Sequence, residues 1–289
     1  MKRIPAKIVC WGVVTLLASG CSFYPSVWQE QRLGVEPAAG DWNALRVETR
    51  NGSVSVTGSH DGALAVNVLI KGGGVDQEDA EQALAAIQVD SKIEGGAYKL
   101  GWSWKQEPEK YWGGSVSFEV VMPADRAVHV ISRNGKMAVS DVDSSVDLDT
   151  RNGAVTVKNI QGSVRIASRN GKLSLTGVNG DVVAHTRNGA IQADAVGGAV
   201  DLQTRNGAIR ATLDNPRVSG TIITRNGSVK LRLPETASAA VDVTSRNGKV
   251  HVARATHTET SERNRFVGTL GDGDGHLKIE TRNGSVSVE

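Results

Sequence analysis

Large rings are scarce in this chain. Only 12 of its 289 residues are aromatic, and none lies between Glu119 and Arg265. A wide globular core packed around rings is therefore excluded over that stretch. Cysteine is nearly absent, with Cys10 and Cys21 the only two. An excess of one charge is lacking as well: the formal net charge of +2 rules out a polybasic or polyacidic chain as a whole. Glycine, in contrast, is abundant at 33 residues, well above the usual ~7% of a chain. What folds must have a thin core of Val, Ile, Leu and Ala.

The first twenty residues have the layout of a secretory signal. Lys2, Arg3 and Lys7 precede an apolar run from Ile8 to Ala18, which is too short to cross a bilayer as a helix. Ala18-Ser19-Gly20-Cys21 then resembles a bacterial lipobox, in which the leader is cut before a cysteine that takes a thioether-linked diacylglycerol. An ordinary signal peptide with an incidental cysteine is the alternative. With residues 1–20 removed, Cys21 is the one thiol left to be lipidated and none remains to oxidise. The mature chain then carries 30 basic residues against 31 acidic ones. Three acyl chains, palmitate among them, exceed the two anchoring signals that stable attachment requires. Ser22 rather than Asp after the cysteine favours the outer membrane under bacterial sorting rules. Residues 21–41 contain Pro25, Pro37 and Gly40 without clear periodicity, and they are expected to be a lipidated tether.

Repeats decide the expected architecture. Arg-Asn-Gly occurs nine times, beginning at Arg50, Arg133, Arg151, Arg169, Arg187, Arg205, Arg225, Arg246 and Arg282. The intervals after Arg133 are 18 residues four times, then 20, 21 and 36. A fixed period of this kind marks stacked repeats. With the Arg as position 1, apolar residues fall at positions 5, 7, 10, 14 and 16, as in Val155, Val157, Ile160, Val164 and Ile166. Two blocks of period-2 alternation predict two strands per unit, separated by turns at Arg-Asn-Gly and near Gly162, Gly180 and Gly198. Such a unit closes one coil of a two-sheet parallel β-solenoid, an all-β fold with coils ~4.8 Å apart. An antiparallel barrel would also use Asn-Gly turns, but it has no need of the same corner every 18 residues.

Position 18 is Ser or Thr before all nine triplets, from Thr49 to Thr281. Its parity points it inward at the corner. There the Asn side chains, Asn134, Asn152, Asn170, Asn188, Asn206, Asn226 and Asn247, can stack as a hydrogen-bonded ladder. Gly follows where a side chain would clash. The expected domain covers 42–289, with regular coils over 133–252 and an irregular C-terminal coil and cap over 253–289. One short helix is predicted over 76–88, with Asp76 as N-cap and Ala80, Ala83, Leu84 and Ile87 on one face.

Taken in order, the chain has an Arg50-Asn51-Gly52 strand pair, a helix-bearing insertion, a Val-Met-Pro strand at 121–123, a ladder of corners and a late Gly-Asp-Gly segment. In these features it resembles the bacterial family of domain-of-unknown-function envelope proteins with β-strand repeats, known as putative adhesins, over roughly 43–289. The resemblance implies a β-solenoid envelope protein, often lipid-linked, with some relatives tied to envelope stress. It implies no catalytic residues.

The chemistry-bearing residues fit that picture. There is no helix-spaced His pair, nucleophile elbow or phosphate loop, so no enzyme activity, cofactor or metal is expected. The six histidines do not recur at one repeat position. Asp272 and Asp274 lie in a glycine-rich turn without a calcium-loop pattern, and Asp141, Asp143, Asp147 and Asp149 read as a solvated face. The candidate ligand contacts are Arg133, Arg151, Arg169, Arg187, Arg205, Arg225 and Arg246. Stacked at ~4.8 Å, neighbouring guanidinium groups repel by about 0.9 kcal/mol even in bulk water. Two readings are open: the arginines hydrogen-bond corner carbonyls of the next coil, or they form a cationic edge for a polyanion. Tyr98, Trp102, Trp104 and Trp112 are either a cap on the first coil or a platform for sugar or lipid.

The partners expected are a membrane through the anchor, and lipopolysaccharide, acidic polysaccharide or an envelope protein, with no nucleic acid. The leading function is adhesin-like presentation of a repetitive surface. The alternative is a periplasm-facing structural or stress-regulatory lipoprotein acting through a protein partner.

Overall fold

The computed structural model describes residues 15–17, 25–36 and 40–289. Cys21 and its lipobox lie outside them. The chain divides into two compact units, Met1–Met137 and Ala138–Glu289. Each is built mainly of strands arranged in two sheets.

In the first unit the elements are β1 (Thr15–Leu17), β2 (Val27–Val35), β3 (Ala44–Asn51), β4 (Val54–Ser59), β5 (Ala65–Gly74), α1 (Gln77–Ala86), β6 (Ile87–Glu94), β7 (Ala97–Trp104), β8 (Gly113–Pro123) and β9 (Ala127–Asn134). One sheet runs β1-β2-β5-β8-β4 and the other β9-β3-β7-β6. Part of the expected tether is thus a strand: β2 pairs antiparallel with β5 from Val27↔Gly74 to Val35↔Val66. Its apolar periodicity is hard to read because an edge-proximal strand with Gln29 turned inward carries few apolar markers. Gln29 is 1% exposed, and its amide has no partner among the described residues.

The helix is shorter than 76–88. Asp76 caps it by accepting from the Asp79 backbone N–H at 2.9 Å. Ile87 leaves the helix in an extended conformation and starts β6. Ala80, Ala83 and Ala86 are buried, whereas Leu84 is only half-buried. The helix lies directly on β5. A Cβ added at Gly72 would come within 2.2 Å of the Leu84 backbone nitrogen, so glycine is required by backbone approach.

In the second unit the strands are β10 (Met137–Val142), β11 (Val146–Asn152), β12 (Val155–Ile160), β13 (Val164–Asn170), β14 (Leu173–Val178), β15 (Val182–Asn188), β16 (Ile191–Val196), β17 (Val200–Asn206), β18 (Ile209–Leu213), β19 (Gly220–Asn226), β20 (Val229–Arg232), β21 (Ala239–Ser245), β22 (Val250–Val252), β23 (His257–Glu262), β24 (Arg265–Leu270), β25 (His276–Asn283) and β26 (Val286–Val288). The pairing is largely parallel and places equal repeat positions opposite each other. Between β13 and β15, for example, Ile166 faces Ala184, Ser168 faces Thr186 and Asn170 faces Asn188. These are the coils of a β-solenoid, with Val155, Val157, Ile160, Val164 and Ile166 at most 1% exposed between the two sheets.

Two features depart from simple alternation. Position 9 of successive coils is left-handed: Asp141, Asn159, Gly177 and Ala195 have φ of 61°, 53°, 66° and 56°. This kink turns position 10 inward again, and so explains why the apolar pattern runs 5, 7, 10. The second departure is coil order. β25 lies between β19 and β21, and β26 lies between β20 and β22. β25 and β26 are therefore internal to the unit, whereas 257–270, also within the irregular coil and cap expected over 253–289, does lie at its end. The strands at its end are β22 and the antiparallel pair β23 and β24.

Candidate functional site: an arginine and asparagine ladder

The corner arises from the triplet and the residue before it. Thr or Ser at position 18 points inward; in the later coils its hydroxyl donates to a corner carbonyl, whereas those of Ser132, Thr150, Ser168 and Thr186 have no partner among the described residues. Thr204 donates to Gly189 O and Thr224 to Gly207 O, both at 3.0 Å, and Ser245 donates to Gly284 O at 2.8 Å. The next residue, Arg, has the opposite parity and is exposed in every coil. Asn then bonds along the stack. In the second unit Asn170 Nδ2 donates to Asn152 Oδ1, Asn188 to Asn170, Asn206 to Asn188, Asn226 to Asn206, Asn283 to Asn226 and Asn247 to Asn283, all at 2.7–2.8 Å. In the first unit Asn134 donates to Asn51 Oδ1 at 2.8 Å.

Gly closes the triplet because adjacent coils touch there. A Cβ on Gly207 would lie 2.0 Å from Gly189 O. Gly171 adds a φ of 158° to the same clash. Close approach is thus the more general reason for glycine than the backbone angle alone.

The guanidinium groups of these arginines make no hydrogen bond and no ion pair with described residues. In the coils of the groove the corner glycine carbonyls accept from Thr or Ser hydroxyls, as at Gly189, Gly207, Gly227 and Gly284, and the corner Asn carbonyls accept from backbone N–H groups. Arg187, Arg205, Arg225 and Arg282, with Asn206, Asn226, Asn247 and Asn283, line an open groove of about 620 Å³. Its lining has no acidic and no apolar side chain. Arg133 is exposed in the first unit, and Arg151, Arg169 and Arg246 are exposed on the second unit's column beyond the groove lining. Arg282 and Asn283 were not among the candidate contacts, although they carry the full Thr281-Arg282-Asn283-Gly284 signal. Their coil follows an irregular segment in sequence yet lies mid-ladder in space.

The tryptophans of the first unit are held by internal contacts. Trp102 and Trp104 meet edge to face with centroids 5.7 Å apart, and Trp104 and Trp112 are 6.0 Å apart. Trp102 Nε1 donates to Thr49 Oγ1 at 3.1 Å, which in turn donates to Val116 O at 3.0 Å. Asn51 Nδ2 donates to Gly114 O at 3.1 Å. The rings therefore pack at the Arg50 corner, all three half-buried. Tyr98 is fully buried against Trp42 and offers no surface to a ligand.

The remaining polar features are local. Asp274 Oδ2 accepts from Ser238 Oγ at 3.1 Å, and the Asp274 carbonyl accepts from Arg217 Nε at 3.0 Å, in a turn where Gly271 and Gly273 have φ of 55° and 82°. Asp141 accepts from Asn159 Nδ2 at 2.9 Å. His185 and Asp201 are 2.9 Å apart on an outer sheet face. Among the described residues no group of three or more His, Cys, Asp or Glu could hold a metal ion.

Stacked coils with an amide ladder and a column of outward arginines define a β-solenoid. The chain belongs to the Toastrack DUF4097 family, whose model matches residues 42–289. Among solved structures it is similar to a putative adhesin from Bacteroides fragilis NCTC 9343, at 14% identity and a TM-score of 0.54, covering 90% of this chain and 97% of that one. It is also similar to a putative adhesin from Parabacteroides distasonis ATCC 8503 (11% identity, TM-score 0.43, 90% and 96% covered). A putative cell adhesion protein from Clostridium sporogenes ATCC 15579 matches at 11% identity with a TM-score of 0.23, covering 90% and 97%. At 14% identity the likeness to the Bacteroides fragilis protein is one of fold. No curated protein matches the chain.

Proposed function

We propose that this is a non-enzymatic cell-envelope protein, lipid-anchored through Cys21 to the outer membrane, whose arginine edge binds a polyanion. The observation that carries the binding reading is the groove of Arg187, Arg205, Arg225 and Arg282, whose guanidinium groups have no protein partner among the described residues. Four like charges held in register without counter-charges raise the energy of the bare edge, and an anionic ligand lowers it. Arginine suits the task because its planar fork takes carboxylate or phosphate oxygens two at a time.

The test is titration of the full mature protein with lipopolysaccharide and with an acidic polysaccharide at several salt concentrations. Affinity is expected to fall as salt rises. Changing Arg187, Arg205 and Arg225 together to Gln is expected to weaken binding by at least about tenfold, since each charged hydrogen bond contributes on the order of 1.5 kcal/mol. Unchanged affinity in the triple variant overturns the reading. The anchor rests on the sequence around Cys21. The intact mass of the membrane-extracted protein is expected to show a chain beginning at Cys21 and carrying acyl groups, which Cys21→Ala abolishes; an unacylated wild-type chain overturns that part.

A further inference from the structure

The groove repeats one chemical unit per coil. Each rung offers one guanidinium to an anion and one asparagine amide whose nitrogen has two hydrogens. One of those hydrogens is spent on the ladder: Asn206 donates to Asn188, Asn226 to Asn206, Asn283 to Asn226 and Asn247 to Asn283. The other has no partner among the described residues. The ladder fixes these amides in place, so little side-chain entropy is lost when they bind.

We propose that the groove takes a linear uronate-type polysaccharide laid along the ladder, an inference that rests on the polyanion reading. Three observations favour this ligand. The rungs repeat at the inter-strand spacing of ~4.8 Å, which is close to the advance of one pyranose in an extended chain. In a two-fold extended chain every second carboxylate faces the ladder and meets every second rung, where the long side chains of two neighbouring arginines can share it. The leftover amide N–H supplies a neutral donor at every rung, which suits the hydroxyl and ring oxygens of sugars. Finally, the lining is only Arg and Asn. It offers no apolar surface to an acyl chain and no ring on which a nucleobase could stack.

The number of rungs sets a length limit. In space the order is Arg187, Arg205, Arg225, Arg282, because β25 follows β19 in the sheet. Each added sugar engages a further rung as an intramolecular step until the arginines are used up.

The experiment is calorimetric titration of the full mature protein with oligogalacturonates from one sugar to about eight, and with the fully methyl-esterified oligomers as neutral controls. Affinity is expected to rise at least about tenfold between the monomer and the tetramer and to change by less than about twofold beyond six sugars. Esterified oligomers should not bind. The Arg205→Gln/Arg225→Gln variant should lose at least about tenfold for the tetramer. Arg46→Gln, at an arginine already paired with Glu48 at 2.6 Å, should lose nothing. Far-UV circular dichroism and the Arg205→Lys/Arg225→Lys variant, which keeps the charge, guard against misfolding. If oligouronates of every length bind no better than the monomer while lipopolysaccharide binds through the arginines, this inference fails and the polyanion reading stands. If no polyanion shows arginine-dependent binding, both fail.

Discussion

At the scale of single residues, the left-handed column at position 9 shows what each coil demands of its sequence. Asp141, Asn159 and Gly177 are residue types that visit this region at low cost, but Ala195 stands there with φ 56°. A Cβ in the left-handed region is strained by roughly 1–2 kcal/mol. Glycine removes the strain and costs part of that back through the freedom of the unfolded chain. Ala195→Gly is therefore expected to stabilise the second unit by about 0.5–1 kcal/mol. Urea denaturation should show a higher midpoint at unchanged slope, and a lower midpoint would show that Ala195 is not strained. The kink was not legible as such. Asp, Asn, Gly and Ala at one repeat position share no hydrophobicity signature, although the displaced apolar position 10 was its visible trace.

At the scale of elements, legibility followed the depth of each pattern. The regular coils were readable because three signals coincide in them: inward aliphatics, inward Ser or Thr at the corner, and Arg-Asn-Gly. Ser245, for example, is fully buried with its hydroxyl on Gly284 O. β2 is not legible in the sequence because it is bordered by prolines and turns Gln29 inward where an apolar residue would mark it. The C-terminal limit of α1 is ambiguous in the sequence because Ile87 is apolar in either state. Its burial serves the start of β6 and not the helix face. The ladder itself was predictable from Asn recurring at a corner. That Arg205 and Arg225 leave the corner carbonyls is not legible in the sequence, since it depends on Thr204 and Thr224 taking the glycine carbonyls.

At the scale of the whole molecule, chain order and spatial order part company in the second unit, and this has consequences for how it folds. β25 pairs with β19 from Gly220↔Leu277 to Asn226↔Asn283 and with β21 from Ala240↔His276 to Ser245↔Thr281. Equal repeat spacing could not reveal this, because Arg246 and Arg282 carry the same corner and either could follow Arg225. β25 and β26, synthesised after β19 to β22, thus join two coils made earlier. Leu277, Ile279, Val286 and Val288 are at most 1% exposed, and at about 1.5–3 kcal/mol each their burial contributes on the order of 6–12 kcal/mol. Deleting 276–289 should therefore do more than shorten the protein. It leaves β21 with no parallel partner and joined only to β24. The coil carrying β21 and β22 is expected to detach, while the coils from β11 to β20 stay folded. Limited trypsin digestion with mass spectrometry reads this directly: new early cuts after Arg246, Lys249 and Arg254, with Arg165 and Arg210 still protected. If the truncated chain keeps its 239–252 segment as resistant as the full chain, the internal placement of β25 and β26 is wrong and the C-terminus is a dispensable cap.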